Sequence, residues 1–339
     1  MMFRMWLVWA EFLACVIAIW FAGVRLSRYG DVIAEKTGMS RTWIGVILVA
    51  TVTSLPELVT GVSAVTVVGV PNIALGDALG SCVFNLMIIT VLDFFRRGES
   101  VFTRASQGHI LSAGFGVMLI GFVGFTLLLG NHGLAPAVGH VGLSSLFIAL
   151  LYGVAMRSVF RYERRQRAAY TEEAVEQYPA VTLRQAIVGF TLSAAVVVVT
   201  GTLLPFVGDT MATIMGWQKT FVGTIFVASA TSVPELVVTI AALRIDAIDM
   251  AIGNLFGSNL FDILIIAIDG VCYLRGPLLQ QVSSLHAVSA LSAVMMTGLT
   301  IVGLLYRPRT RLFQAVGWTS LLLFSLYLLN TYALYLYGE

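Results

Sequence analysis

Apolar residues fill stretches of about twenty positions or more, and polar ones collect in short intervals between them. At roughly 20 residues per crossing of a ~30 Å hydrocarbon layer, this pattern predicts ten membrane helices. They fall at approximately 5–26, 43–69, 73–95, 108–130, 141–160, 183–207, 220–243, 248–272, 283–305 and 312–336. The most polar interruption, Arg157 to Thr182, divides five helices from five. The expected organisation is therefore a first half at 1–160, a short basic loop at 161–182 and a second half at 183–339. No small-residue cleavage pattern follows the first apolar run, Met5 to Val24, so it reads as a retained helix.

Two of these segments are interrupted in the same way. Thr53-Ser54-Leu55-Pro56-Glu57 and Thr231-Ser232-Val233-Pro234-Glu235 place a hydroxyl pair, a proline and a carboxylate amid apolar residues. Proline has no N–H for the carbonyl four residues earlier, which loosens the helix at Val52 and at Ala230. A carboxylate at mid-membrane costs several kcal/mol unless paired, hydrated or occupied by an ion. Shifting the sequence by 178 aligns Gly45–Val59 with Gly223–Val237 at 10 of 15 positions. A shift of 177 aligns Ala74, Gly76, Gly80, Ser81 and Phe84 with Ala251, Gly253, Gly257, Ser258 and Phe261. With five helices per half, the second copy must cross the membrane in the opposite sense, giving two inverted five-helix repeats with broken helices at the centre.

Composition and charge sharpen this picture. The 339 residues are 58% hydrophobic and 11% charged, with a mean hydropathy of +0.90, against about 25% charged in soluble domains. A net charge of +2 confined to short loops gives no support for nucleic-acid binding. The cysteines Cys15, Cys82 and Cys272 form no C-x-x-C pair, which argues against disulfides or a zinc site. With the middle loop on the cytoplasmic side, only Arg4, Lys219 and Arg275 of the 20 Lys and Arg fall on the other side. The positive-inside rule then puts both termini on the outer side of a plasma or inner membrane.

Residues three or four apart share a helix face. That spacing lines Thr53 and Ser54 up with Glu57, Thr231 and Ser232 with Glu235, Ser81 with Asn85, and Ser258 with Asp262. All these groups offer oxygen, as do the carbonyls freed by the two prolines. Hard cations such as Na⁺ and Ca²⁺ take oxygen ligands, whereas softer metals favour sulfur or imidazole. Packing roles are expected for Gly76, Gly80, Gly253 and Gly257. Asp77 is expected to support the ligands from behind, and Glu11, Asp93 and Asp269 to be solvated near helix ends. Trp6, Trp9, Trp217, Tyr332, Tyr335 and Tyr337 read as anchors at the membrane interface.

The paired motifs, with Gly76 to Asn85 and Gly253 to Asp262 following each kink, resemble the α-repeats of the cation/Ca²⁺ antiporter superfamily, most closely its Na⁺/Ca²⁺ exchanger branch. The resemblance implies four ion sites in a diamond at mid-membrane. It places Ca²⁺ between Glu57 and Glu235, with backbone carbonyls near Thr53 and Thr231. It assigns Ala50, Ser54, Ser81, Ala228, Ser232 and Ser258 to Na⁺, with Asn85 and Asp262 at the centre. It also implies a sliding of the first and sixth helices across a fixed core. The sequence departs from the family pattern at Val52 and Ala230, where glycine is usual, and at Cys82 and Asp77, where asparagine is usual. The expected protein is an antiporter and not an enzyme. It exchanges Na⁺ for Ca²⁺ or a similar divalent cation, has no cofactor, and has membrane lipid and these cations as its partners, with a monomer as the simplest assembly. An H⁺-coupled exchanger, an exchanger of another divalent cation, a channel and an intramembrane enzyme are the competing readings.

Overall fold

The computed structural model describes residues 2–37, 50–96, 99–130, 136–167, 180–308, 311–312 and 316–337. The chain runs through α1 (Met2–Lys36), α2 (Leu55–Ser63), α3 (Pro71–Phe95), α4 (His109–Gly130), α5 (Leu143–Arg167), α6 (Leu183–Met215), α7 (Val233–Arg244), α8 (Ile248–Cys272), α9 (His286–Tyr306) and α10 (Trp318–Tyr337). Two small antiparallel pairs, β1 (Ala137–Val138) with β2 (Val141–Gly142) and β3 (Arg311–Leu312) with β4 (Val316–Gly317), lead into α5 and α10. Among the described residues, eight helices are long and apolar enough to cross a membrane. The count is nine when Lys219–Thr231 and Val233–Arg244, bent by 45°, are taken as one span. The expected helix over 43–69 lies partly outside the described residues; its described part starts at Ala50.

Several helices run longer than the hydropathy pattern predicts. At 1.5 Å per residue, the 35 residues of α1 reach about 52 Å, well beyond the hydrocarbon layer. Helix propensity and packing carry the chain on where lipid no longer requires it. α5 likewise continues to Arg167, so the described start of the 161–182 segment is helical. α6 begins with a capping box, Thr182 with Gln185, and ends at Gly216 with φ 68°, a left-handed position that glycine adopts without strain.

Both kinks form as the prolines require. Pro56 and Pro234 sit in the first turn of α2 and α7, where a missing N–H costs nothing. The preceding serines leave helical geometry in the same way, Ser54 at φ −87°, ψ 15° and Ser232 at φ −81°, ψ 9°. A helical turn precedes the second kink and a π-helical turn, Gly223–Val227, precedes that.

α3 and α8 form the buried centre, with α4, α9 and α10 packed around them. Helices in lipid approach through small residues, since burial of apolar surface gives little drive there. A methyl on Gly76 would lie 3.0 Å from the Gly223 Cα, and one on Gly80 would lie 2.7 Å from the Ala228 Cβ. In the other direction, a methyl on Gly257 would lie 3.0 Å from the Ala50 Cβ. α1 and α6 pack along one another and each backs the kink of the opposite half. Gly23 of α1 abuts the ring of Pro234, and Gly201 of α6, which is 178 positions later, abuts Val59 and the Pro56 carbonyl.

Two expectations are corrected here. Asp93 is fully buried rather than solvated. Its Oδ1 accepts hydrogen bonds from Ser100 Oγ (2.8 Å) and Val101 N (3.0 Å), and its Oδ2 from Gly317 N (3.0 Å) and Ser320 Oγ (2.8 Å). Asp269 is buried as well, at 1% exposure. Of the aromatic residues read as interface anchors, Trp6, Tyr332, Tyr335 and Tyr337 are exposed. Trp9 and Trp217 are half-buried and pack on Phe226, with Trp217 stacked at 5.2 Å and Trp9 edge-on at 5.6 Å.

Candidate cation site

The kinks of α2 and α7 bring their first turns against α3 and α8. There, Glu57 (1% exposed) and Glu235 (0% exposed) stand in the interior with Ser54, Ser81, Ser232, Ser258, Asn85 and Asp262, all buried. The hydroxyls do not serve the carboxylate of their own helix. Ser54 Oγ donates to Glu235 Oε1 at 2.9 Å, and Ser232 Oγ donates to Glu57 Oε1 at 3.0 Å. Each half thus holds the acid of the other. The expectation that Ser54 lines up with Glu57, and Ser232 with Glu235, is corrected: both serines sit at the break, where helical spacing no longer sets direction.

The rest of the set closes around this crossed pair. Ser258 Oγ reaches Glu235 Oε1 at 3.3 Å, and Ser232 Oγ, its one proton given to Glu57, accepts from the Ser81 hydroxyl at 2.9 Å. Thr231 Oγ1 donates to Asp77 Oδ1 at 2.8 Å. The Thr53 hydroxyl bonds to the Ala50 carbonyl at 3.1 Å and also faces the Glu235 carboxyl. Asn85 Nδ2 donates to Asn259 Oδ1 at 3.0 Å, and Cys82 Sγ lies 3.9 Å from Asp262 Oδ2. The expected facings of Ser81 with Asn85 and of Ser258 with Asp262 are not the hydrogen bonds formed. Ala50 and Ala228, both buried, lie under Gly257 and Gly80.

Five acceptor oxygens here have no hydrogen-bond partner among the described residues: Glu57 Oε2, Glu235 Oε2, Asp262 Oδ1, Asn85 Oδ1 and Asp77 Oδ2. Buried acceptors are nearly always satisfied, so a cluster of bare ones needs a reason. The Glu57 carboxyl also lies within electrostatic reach of Glu235, Asp262 and Asp77. Among the described residues, no group of three or more His, Cys, Asp or Glu side chains could hold a metal alone. The cluster offers carboxyl oxygens of Glu57, Glu235, Asp262 and Asp77 together with hydroxyl and amide oxygens, the donor type that suits a hard ion.

Asp77, expected behind the ligands, takes part in this network through Thr231, and so do Cys82 and Asn259, to which the sequence pointed only as a departure from a pattern and as its continuation. Position was the available signal: Asp77 and Asn254 occupy equivalent places in the two α-helices that follow the kinks, as do Cys82 and Asn259.

A bundle of apolar helices whose two broken segments meet at a buried oxygen-lined site defines a polytopic membrane protein of the ion-exchanger class. A profile of the sodium/calcium exchanger protein family matches residues 7–159 and 185–336. The chain belongs to that family. The inner membrane protein YrbG of Escherichia coli (strain K12) is 25% identical over 74% of this chain and 75% of its own. The solved structure of the H⁺/Ca²⁺ exchanger CAX is similar with a TM-score of 0.64, covering 97% of this chain and 88% of that one at 17% identity. The sodium–calcium exchanger NCX_Mj gives a TM-score of 0.59, covering 97% and 99% at 20% identity. At such identities these two likenesses concern the fold.

Proposed function

We propose that the chain is a secondary antiporter exchanging Na⁺ for Ca²⁺ or a similar divalent cation by alternating access. The observation that carries this reading is the crossed pair, Ser54 with Glu235 and Ser232 with Glu57, surrounded by bare acceptor oxygens. Two carboxylates balance one divalent ion, and the same oxygens distributed among Na⁺ ions make the two loads exclude each other. Glu57 and Glu235 are the divalent ligands, with carbonyls near Thr53 and Thr231. Ser54, Ser81, Ser232, Ser258, Ala50 and Ala228 serve Na⁺, and Asn85 and Asp262 stand between them. The architecture we infer is ten helices in two inverted repeats, 1–160 and 183–339, with the 161–182 loop cytoplasmic. The reciprocal contacts of Gly23 with Pro234 and Gly201 with Pro56 support the repeat.

The test is ⁴⁵Ca²⁺ uptake into proteoliposomes of the purified protein under an imposed Na⁺ gradient. Uptake should collapse when choline replaces Na⁺ at fixed pH, and Glu57→Gln and Glu235→Gln should each abolish it. The fold likeness to an H⁺/Ca²⁺ exchanger favours one second reading, coupling to H⁺. Uptake that survives the choline exchange and follows a pH gradient selects that reading, and uptake without any counter-ion dependence selects a channel.

A further inference from the structure

Asp269 lies outside the crossed pair and none of the roles above uses it. Its carboxyl is 1% exposed, and Oδ1 has no hydrogen-bond partner among the described residues. The fold shows elsewhere how it treats an acid kept for structure: Asp93 receives two donors on each oxygen. Asp269 receives no such set, and leaving a buried carboxylate oxygen bare is costly.

Its place in the bundle is specific. Asp269 is seven residues beyond Asp262 on α8, two turns along one face. It lies against Gly61, four residues beyond Glu57 on α2, so close that a methyl there would be 2.5 Å from Asp269 Oδ2. Along α2 and α8, Gly61 and Asp269 thus lie between the site and the end of the bundle where Gly69 meets the guanidinium of Arg275. Asp77, whose Oδ2 is also bare, acts on it electrostatically.

The opposite half lacks this feature. At the repeat offsets, Gly61 corresponds to Thr239 and Asp269 to Leu92, and Leu92 is fully buried. Since leucine fills the equivalent place, packing alone does not call for an acid at 269. The pairing of a buried carboxylate with a glycine on the facing helix occurs in one half only.

We propose that Asp269, beside Gly61, is a Na⁺-binding station on the route between the Glu57/Glu235 site and the Gly69–Arg275 face. One carboxylate balances one monovalent charge, whereas Ca²⁺ demands six to eight oxygens and a second charge. What the station feeds rests on the exchanger reading; whether Na⁺ binds there does not.

Two measurements separate these. The first is infrared difference spectroscopy of the purified protein in a Glu57→Gln/Glu235→Gln background, with NaCl exchanged for choline chloride. A Na⁺-induced carboxylate change that disappears with Asp269→Asn is the expected result. A Na⁺ response identical with and without that substitution overturns the proposal, as does a protonated-carboxyl band assigned to Asp269 that ignores Na⁺. The second is exchange in sided proteoliposomes. Asp269→Asn should raise the half-saturating Na⁺ about tenfold from the Gly69–Arg275 face and leave the other face unchanged. An equal change from both faces indicates a structural role and overturns the proposal. Asp269→Leu, copying position 92, is the second variant if the asparagine form does not fold. Wild-type protein that shows no exchange defeats the antiporter reading, and the infrared result still decides Asp269.

Discussion

Replacing the two kink serines one at a time tests whether the crossed bonds set cation affinity. Glu57 Oε1 takes one side-chain donor, Ser232, and its Oε2 takes none among the described residues. Glu235 Oε1 takes Ser54 and, at longer range, Ser258, with Thr53 also facing it. Ser232→Ala therefore strips Glu57 of its orienting donor and removes the partner of Ser81. A hydrogen bond to a charged group contributes about 1.5–3 kcal/mol. The half-saturating Ca²⁺ should rise about 10- to 150-fold. Ser54→Ala leaves Ser258 on Glu235, so its cost should be about 0.5–1.5 kcal/mol, about 2- to 12-fold. The double variant should be less than additive, because both serines act on ligands of one ion. The assay is Na⁺-driven ⁴⁵Ca²⁺ uptake with Ca²⁺ varied at fixed protein and gradient. Equal effects of the two single variants, or a larger effect at Ser54, would falsify the geometric argument.

Three further outcomes follow from the structure. Gly80→Ala should abolish uptake and lower thermal stability in detergent, since its methyl would lie 2.7 Å from the Ala228 Cβ, with the Thr224 carbonyl closer still. Overpacking costs about 1–3 kcal/mol. Gly257→Ala, at 3.0 Å from a single methyl that can yield, should be the milder change in both measurements. Asp93→Asn should destabilise the protein by about 3 kcal/mol by turning one well-bonded oxygen into a donor, read as a lower melting temperature with an unchanged half-saturating Ca²⁺. At the membrane face, hydrogen bonds and charge from Arg96, and then Arg104, hold the exposed Asp246 carboxyl below its ordinary value of 3.8. A depressed carboxylate contributes above its unfolded value and loses that contribution as pH falls through the folded one. The melting-temperature difference between wild type and Asp246→Asn should therefore be small, flat from about pH 8 to pH 5, lost at more acid pH, and reduced by salt.

The two broken helices were legible in the chain because proline and glutamate inside an apolar segment violate what lipid tolerates, and they do so twice. The donor types were legible for the same reason. Partnership across the halves was not. Helical spacing relates Ser54 to Glu57, but spacing holds only within an unbroken helix, and Ser54 is the residue at which this one breaks. Depth was the other obscured quantity. Asp93 and Asp269 both stand near a helix end in sequence and look solvated, yet α10 with the Ser100 turn covers the first, and α2 covers the second through Gly61. A one-dimensional pattern records distance from a helix end, not what folds over it.

Crossed support of the two acids bears directly on how a binding site becomes an exchanger. Were each glutamate held by a hydroxyl of its own helix, either half could keep its ligand geometry while the other moved. With Ser54 on Glu235 and Ser232 on Glu57, Glu57 keeps its side-chain donor and Glu235 its shorter one only when the two kinks are in register. Loss of that register strips Glu57 of its donor and leaves Glu235 with only the longer bond from Ser258, and buried, poorly paired charge is the costly state in a low-dielectric interior. A bound cation offsets that cost by neutralising both acids together. On the antiporter reading, passage between inward- and outward-facing forms is thus favoured with ions aboard and disfavoured without them, which ties the flux of one ion to the counterflux of the other.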